Sequence, residues 1–273
     1  MKLDLHLHSH VSDGELPPAR LVEAAVAAGL DLIALTDHDT AAGVPEAQRA
    51  AAELPVEVIA GIEISTRTGE HEFHMLGYHI DPLAPSIVAH QDASVHRRTE
   101  RMRGMVEKLQ AMGIPITFEE VVTAAGPDVR SLGRPHLARA LHAAGHTRYY
   151  GEAFARFIAD GGPAFVAQDF PSPEEAIAAV HAAGGVAVWA HPPLDAVADL
   201  LPEMVKWGLD GVECYRSNLS DDDVHRLLGL ARENGLFPTG GSDWHGPHRA
   251  PLGSFFLRPE QVEDFLQIGR AGG

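Results

Sequence analysis

The chain is 273 residues long, 45% hydrophobic and 22% charged, a globular composition with enough apolar material for one large core or two smaller ones, which excludes a disordered or fibrous chain. With 38 acids against 21 Lys and Arg the formal charge is -17, so long nucleic acid and anionic membranes are not expected partners and any phosphate must be held locally. The single cysteine, Cys214, excludes an internal disulfide and a cysteine-based zinc cluster, leaving 17 histidines and the acids to hold any metal.

Met1 to His8 places charge and histidine where a signal peptide requires an apolar run, and no stretch reaches bilayer-spanning length; the expectation is a cytoplasmic protein without a membrane partner. Short apolar or alternating runs read as strands at Lys2–His8, Leu32–Thr36, Val56–Ile62, Phe73–Tyr78, Val186–Ala190, Gly211–Tyr215 and Leu236–Gly240, with a later one at Ser254–Leu257. Between many of them lie Ala-rich helical segments that stop at Gly29, Gly184, Gly208 or Gly235. That repetition predicts an α/β fold with a parallel sheet or a barrel. It is interrupted between about residues 85 and 165, where a long helical pattern from Ile87 to Met112 is followed by further helix signals. The expected organisation is a barrel from 1–84 and 166–273 with an inserted helical subdomain at 85–165. Thr117 with Glu120, and Ser172 with Glu175, fit capping boxes; Ser220 before Asp221–Asp223 reads as an N-cap with carboxylates on the positive end of the helix dipole. The insertion holds ten Arg and Lys against eight acids in an otherwise strongly acidic chain. Its cations suit a lid over an anionic substrate, and equally a solvated helix surface with i,i+4 pairs.

Chemistry-bearing residues gather at the ends of these runs. Leu3-Asp4-Leu5-His6-Leu7-His8 alternates, so Asp4, His6 and His8 share one face and the leucines the other. An isolated HxH is a weak metal signal, but here Ser9, Ser12 and Asp13 follow. The second run ends in Thr36-Asp37-His38-Asp39, the third in Gly61-Ile62-Glu63, the fourth contains His74, the fifth ends in His191-Pro192 and the seventh leads to Ser242-Asp243-Trp244-His245. In a barrel these ends lie on one face, so nine N and O donors converge. Donors of this kind without thiolate suit Mn²⁺, Fe²⁺ or Zn²⁺ better than Ca²⁺. Asp37 and Asp39 flank His38 and suit either the orientation of neighbouring imidazoles or a turn.

These motifs, spanning residues 6 to 245, resemble the PHP (polymerase and histidinol phosphatase) family of metal-dependent phosphoesterases, which is related to the amidohydrolases. The resemblance implies a distorted seven-stranded β/α barrel holding up to three divalent ions at the strand C-termini, Mn²⁺ first, with Fe²⁺, Zn²⁺ or Mg²⁺ as alternatives. One ion would take His6, His8, Glu63 and Asp243. A second would share Glu63 and add His74 and His191, and a third would take Asp13, His38 and His245. Three dications outweigh the charge of Asp13, Glu63 and Asp243, and would activate a water for attack on phosphorus without a protein nucleophile.

Within the insertion, Ser131-Leu132-Gly133-Arg134-Pro135-His136 and the segment from Tyr149-Tyr150 to Phe157 resemble the subgroup containing nucleoside 3′,5′-bisphosphate phosphatases and 5′-to-3′ exoribonucleases acting on short RNA. In that subgroup the insertion covers the metals and recognises a 5′-phosphate, which points to Arg134, His136 and Ser131, with Arg216 and Asn218 beyond the sixth strand as a second clamp. The expectation is hydrolysis of a phosphomonoester, the 3′-phosphate of a nucleoside 3′,5′-bisphosphate. The alternative is a phosphodiesterase on short 5′-phosphorylated oligonucleotides, and no protein partner is evident. A non-catalytic metal-binding module is a third reading. Amide hydrolysis is a fourth, and lacks a carboxylated lysine because Lys2, Lys108 and Lys206 all miss the strand ends.

Overall fold

Seven strands stand in chain order in one sheet: β1 (Leu3–Leu7), β2 (Leu32–Leu35), β3 (Glu57–Thr68), β4 (His71–Tyr78), β5 (Val186–Ala190), β6 (Gly211–Tyr215) and β7 (Phe237–Gly240). The computed structural model describes residues 1–69, 71–127, 129, 132–248 and 250–271. The sheet curls into a nearly closed barrel, its ends joined where Leu7 bridges Trp244 and the His8 amide donates to the Trp244 carbonyl at 3.0 Å. Helices α1 (Pro18–Ala27), α2 (Val44–Ala51), α7 (Pro173–Ala182), α8 (Val197–Lys206) and α9 (Asp221–Glu233) surround it, and α10 (Glu263–Ala271) follows β7.

β4 departs from the expected parallel repetition. It runs antiparallel to both β3 and β5, whereas β1–β2–β3 and β5–β6–β7 are parallel. The reason is connection length: a parallel crossover needs a dozen or more residues, whereas β3 runs on to Thr68 and β4 restarts at His71. Gly69, at φ +59°, takes the left-handed conformation such a tight reversal needs. Ser254–Leu257, expected as a strand, contributes an isolated antiparallel bridge from Leu257 to Leu3.

The leucines of β1 also break strict alternation. Leu3 and Leu5 join Tyr78, Leu76 and Phe265 in one buried cluster, while Leu7 packs with Ile33, Ile62 and Trp189 in another shared with the outer helices. The switch coincides with a register irregularity between Asp4 and Leu7, the local twist by which a barrel rim redirects its side chains.

Between β4 and β5 lie α3 (Pro85–Ala111), α4 (Phe118–Ala125), α5 (Arg134–Ala143) and the short α6 (Tyr150–Ala153), which widens into a π turn at Phe154–Ile158. They enclose a separate cluster that includes Met102, Met105, Leu109, Val121, Leu137 and Phe157. Ile87, at the start of α3, packs instead with the barrel's outer layer. One helix therefore roots both cores. The capping boxes at Thr117, Ser172 and Ser220 are all formed. Among the described residues no helix is long and apolar enough to cross a membrane.

Candidate functional site

Glu63, near the middle of the long β3, is fully buried and stands at the centre of five imidazoles. Its Oε2 lies 3.2 Å from His6 Nε2, His8 Nε2 and His38 Nδ1. Its Oε1 lies 2.8 Å from His74 Nδ1 and 2.9 Å from His191 Nε2. Backbone pairing fixes this geometry: the Glu63 amide donates to the Asp37 carbonyl at 3.1 Å and its carbonyl accepts from the Asp39 amide at 2.8 Å, so His38 sits directly against it. The antiparallel register of β4 sets His74 opposite Ser65 and Ala190, one step from His191.

On the other flank, Asp243 Oδ1 is 3.2 Å from His8 Nε2 and 3.5 Å from both His6 Nε2 and His245 Nδ1. Asp13 Oδ1 is 3.2 Å from His245 Nε2 and 4.0 Å from His38 Nε2. The His8 and His245 rings stack at 4.1 Å between centroids. The structure thus brings together all nine donors singled out in the sequence. His6, His8, Glu63 and Asp243 form one group with ligand atoms within 4.8 Å of each other, and His8, Asp13, His38 and His245 form another. A third joins His38, Glu63 and His74, with His191 Nε2 3.2 Å from His74 Nδ1.

The electrostatics fit a set built for cations. Burial alone would raise the Glu63 carboxyl, but His38, His6 and His74 outweigh it and hold it well below the usual range. Burial is likewise overcome at Asp13 by His38 and His245, and at Asp243 by His6 and His8. Burial pushes His6 and His8 down, yet the carboxylates around them pull both imidazoles up, His8 to about 10. At His38 burial prevails over Glu63 and Asp13 and takes the ring down to about 3, neutral and available as a ligand. Both nitrogens of His8, His38 Nδ1 and Asp13 Oδ1 are buried with no well-aligned hydrogen-bond partner. Buried polar atoms left in this way are costly unless a further partner completes them, and a cation that displaces the ring protons is one such partner. Divalent ions of the Mn²⁺, Fe²⁺ or Zn²⁺ kind match this imidazole and carboxylate donor set.

Several residues support the cluster from behind, of which Glu213 carried no assigned role in the sequence. Glu213, an acid within the apolar β6, is fully buried; its Oε1 is 3.0 Å from His6 Nδ1 and its Oε2 accepts the His191 amide at 2.7 Å. Asp4 accepts from the Ser242 amide and hydroxyl at 2.9 and 2.6 Å, and burial pushes its carboxyl up to about 7 despite those bonds. Asp37 accepts from the Ser9 amide and from the Ser9 and Ser12 hydroxyls, all at 2.7 Å, pinning the loop that carries Asp13. Asp39 accepts from Arg98 of α3, with Nε at 2.9 Å, and lies 3.0 Å from His90 Nε2. Of the two readings of Asp37 and Asp39, the turn is the one their contacts match: Asp37 holds the loop from Ser9 to Ser12, and Asp39 ties its own loop to Ser65 and α3. Asp39, His191 and Asp243 all hold positive φ, 54°, 30° and 53°, a strained conformation that clusters at functional sites. Gly241 permits the rim to close: a Cβ there would lie 2.3 Å from His6 Cβ.

Among the described residues three clefts open on this cluster, the smallest of them, of about 240 Å³, lined by Asp13, His245 and Arg139 among others. The first, of about 360 Å³, is lined by Asp13, His38 and His74 and, from the helical insertion, Arg98, Arg101 and Arg134. The second, of about 260 Å³, is lined by His191, Asp243, Arg216 and Asn218 among others. Arg134 opens α5, its Nη1 2.7 Å from Asp160 Oδ1 and its guanidinium over the Phe165 ring at 5.8 Å. His136 is placed differently from a substrate clamp: it is 1% exposed, and its Nδ1 accepts the Gly133 amide at 2.9 Å, capping α5. Burial and the neighbouring Arg139 push that imidazole down to about 4. Ser131 lies outside the described residues.

Comparison with known proteins agrees with this architecture. Residues 4–87 match the PHP domain family. A 5′-3′ exoribonuclease of Haemophilus influenzae is 37% identical, covering 90% of this chain and 90% of the relative. A 3′,5′-nucleoside bisphosphate phosphatase of Chromobacterium violaceum is 34% identical over 90% of this chain and 87% of its own length. The solved structure of an amidohydrolase from Chromobacterium violaceum, with sulfate bound, superimposes with a TM-score of 0.88 at 32% identity, covering 99% of this chain and 96% of that one. Likeness at that identity, over nearly the full length of both partners, makes this chain a member of the PHP domain family.

Proposed function

We propose that the chain is a metal-dependent phosphoesterase that removes the 3′-phosphate of nucleoside 3′,5′-bisphosphates. The single observation carrying this reading is the cluster centred on Glu63, with orphaned imidazole nitrogens inside it and three arginines lining the cleft beside it. In this reading His6, His8, Glu63 and Asp243 hold one ion, Glu63, His74 and His191 a second, and Asp13, His38 and His245 a third. Mn²⁺ is the favoured metal. Bound divalent ions acidify water and neutralise charge on phosphoryl oxygens. The chain's own residues do the rest. Glu213 holds the His6 ring so that Nε2 faces Glu63. Asp37 and Asp39 fix the loops on either side of His38. Arg134, with Arg98 and Arg101 in the same cleft, offers guanidinium donors to a 5′-phosphate, while the walls of the insertion limit access of bulk water. The sulfate in the solved Chromobacterium violaceum structure, and the bisphosphate phosphatase name of a relative from the same organism, support an anionic substrate of this class.

The test is a phosphate-release assay on Mn²⁺-loaded protein with adenosine 3′,5′-bisphosphate, 3′-AMP and 5′-AMP. Release from the bisphosphate, at least ten-fold faster than from 3′-AMP, is expected, and none from 5′-AMP. Equal turnover of 3′-AMP and the bisphosphate would remove the 5′-phosphate clamp. A diesterase reading on short 5′-phosphorylated oligonucleotides draws on the second cleft and on the exoribonuclease name of the Haemophilus influenzae relative.

A further inference from the structure

We infer that the second cleft is a subsite for the nucleotide downstream of the scissile phosphate, and that Arg216 is its specificity-determining residue. The inference rests on the phosphoesterase reading and extends it to short oligonucleotides as a substrate class.

The first and second clefts share the metal-ligand cluster as their floor. His74 lines the first and His191 the second, and their ring nitrogens are 3.2 Å apart. A phosphomonoester needs one cleft and the cluster, because its transferred phosphoryl group ends in oxygens. A diester continues beyond phosphorus, and the second cleft adjoins the cluster on its His191 and Asp243 side, where such a continuation can be held. At about 260 and 360 Å³ the two cavities are near the lower end of the range for small-molecule sites, so each suits a nucleotide unit rather than a long strand. That size also agrees with a protein whose charge of -17 repels long polyanions.

Direction follows from the cations. Among the described residues three guanidinium groups line the first cleft against the two carboxylates Asp13 and Glu72, an excess of cations that suits a terminal phosphate close to a dianion at neutral pH. Among the described residues Arg216 is the one guanidinium lining the second, beside Asp243, which matches a singly charged internal phosphodiester. Arg216 has few competing partners: its Nη2 reaches the Pro192 carbonyl only at 3.5 Å, and its Nε is buried without a hydrogen bond. Its position is fixed relative to the cluster because the Tyr215 carbonyl accepts the Gly241 amide at 3.1 Å, two residues before Asp243. Water would add to the phosphorus, the bond from phosphorus to the upstream 3′-oxygen would break, and that oxygen would leave with a proton. The downstream fragment would keep the phosphate as a new 5′ end, ready to occupy the first cleft in the next cycle.

Arg216→Gln and the cleft-filling Ser217→Trp test this, with Ser217 exposed enough to accept a large ring. Both are assayed as Mn²⁺-loaded protein on a 5′-phosphorylated triadenylate and on adenosine 3′,5′-bisphosphate. The expected result is a fall in kcat/KM on the trinucleotide at least ten-fold larger than on the bisphosphate. Equilibrium binding of the trinucleotide to metal-free protein, read by fluorescence anisotropy, is expected to weaken at least five-fold in Arg216→Gln. Equal effects on the two substrates, unchanged discrimination in both variants, or a wild type that hydrolyses the bisphosphate but not the trinucleotide would overturn the subsite. A wild type that hydrolyses neither would overturn the phosphoesterase reading itself.

Discussion

Nδ1 of His6 contacts Glu213 and Nε2 contacts Glu63, so a single carboxylate behind the ring decides which nitrogen faces the cluster. Removing that charge in Glu213→Gln is expected to weaken Mn²⁺ binding by about 10- to 100-fold, measured by competition with a fluorescent chelator. An affinity unchanged within two-fold, in a variant that melts like the wild type, would mean the ring is oriented without it. His136 gives a pH signature of its own. Its imidazole is held down to about 4 by burial, against an ordinary value of 6.5, and its neutral Nδ1 accepts the Gly133 amide. Below pH 6.5 the unfolded chain takes up a proton that the folded chain refuses, so stability present above pH 6.5 is lost as pH falls toward 4, by on the order of 3 kcal/mol from this group. In His136→Gln the side chain can still cap the helix but does not titrate, so the loss between pH 7 and pH 4.5 should shrink in urea unfolding; an identical pH slope would refute the assignment. Both residues show how little a residue's identity says about its task. His136 reads as part of a phosphate clamp in the linear chain because burial is invisible there, and Glu213 stands out only as an acid in an apolar run.

At the scale of elements, α3 is the joint between barrel and insertion. Arg98, 12% exposed, reaches back from α3 to the buried Asp39 and also donates to the Ser65 hydroxyl at 3.1 Å. Replacing the arginine strands a buried carboxylate, so Arg98→Met is expected to cost about 3 kcal/mol in chemical unfolding. Arg98→Met combined with Asp39→Asn should recover part of that loss; a double variant no more stable than the single would show that the pair is not the anchor. The helices themselves were legible from spacing and caps, since Thr117, Ser172 and Ser220 each satisfy amides that any helix start leaves open. The direction of β4 was hidden by strand bounds read at Ile62 and Phe73, whereas the strands themselves run on to Thr68 and restart at His71, and the repetition on either side suggested a parallel strand. Strand identity is a local property, whereas strand direction depends on what the connection can span.

For the molecule as a whole, carboxylates and protonated imidazoles share one buried volume, and a dication competes with those protons. Metal binding is therefore expected to release protons and to tighten as pH rises from 6 to 8. Calorimetric titration of Mn²⁺ in two buffers of different ionisation enthalpy measures this, and identical heats in both would exclude it. Metal at 100 times its Kd should add about 2.7 kcal/mol to unfolding, and a chelator should remove it. The sequence by itself determined the ligand types, the seven strands, the helical interruption and the absence of thiolate chemistry, because periodicity and residue chemistry are written along the chain. Only the tertiary structure decided that Glu63 meets five imidazoles, that Glu213 and Asp39 stand behind the cluster, and that more than one cleft opens onto it. Those facts depend on which strand ends meet across a closing barrel, and no linear spacing encodes that distance.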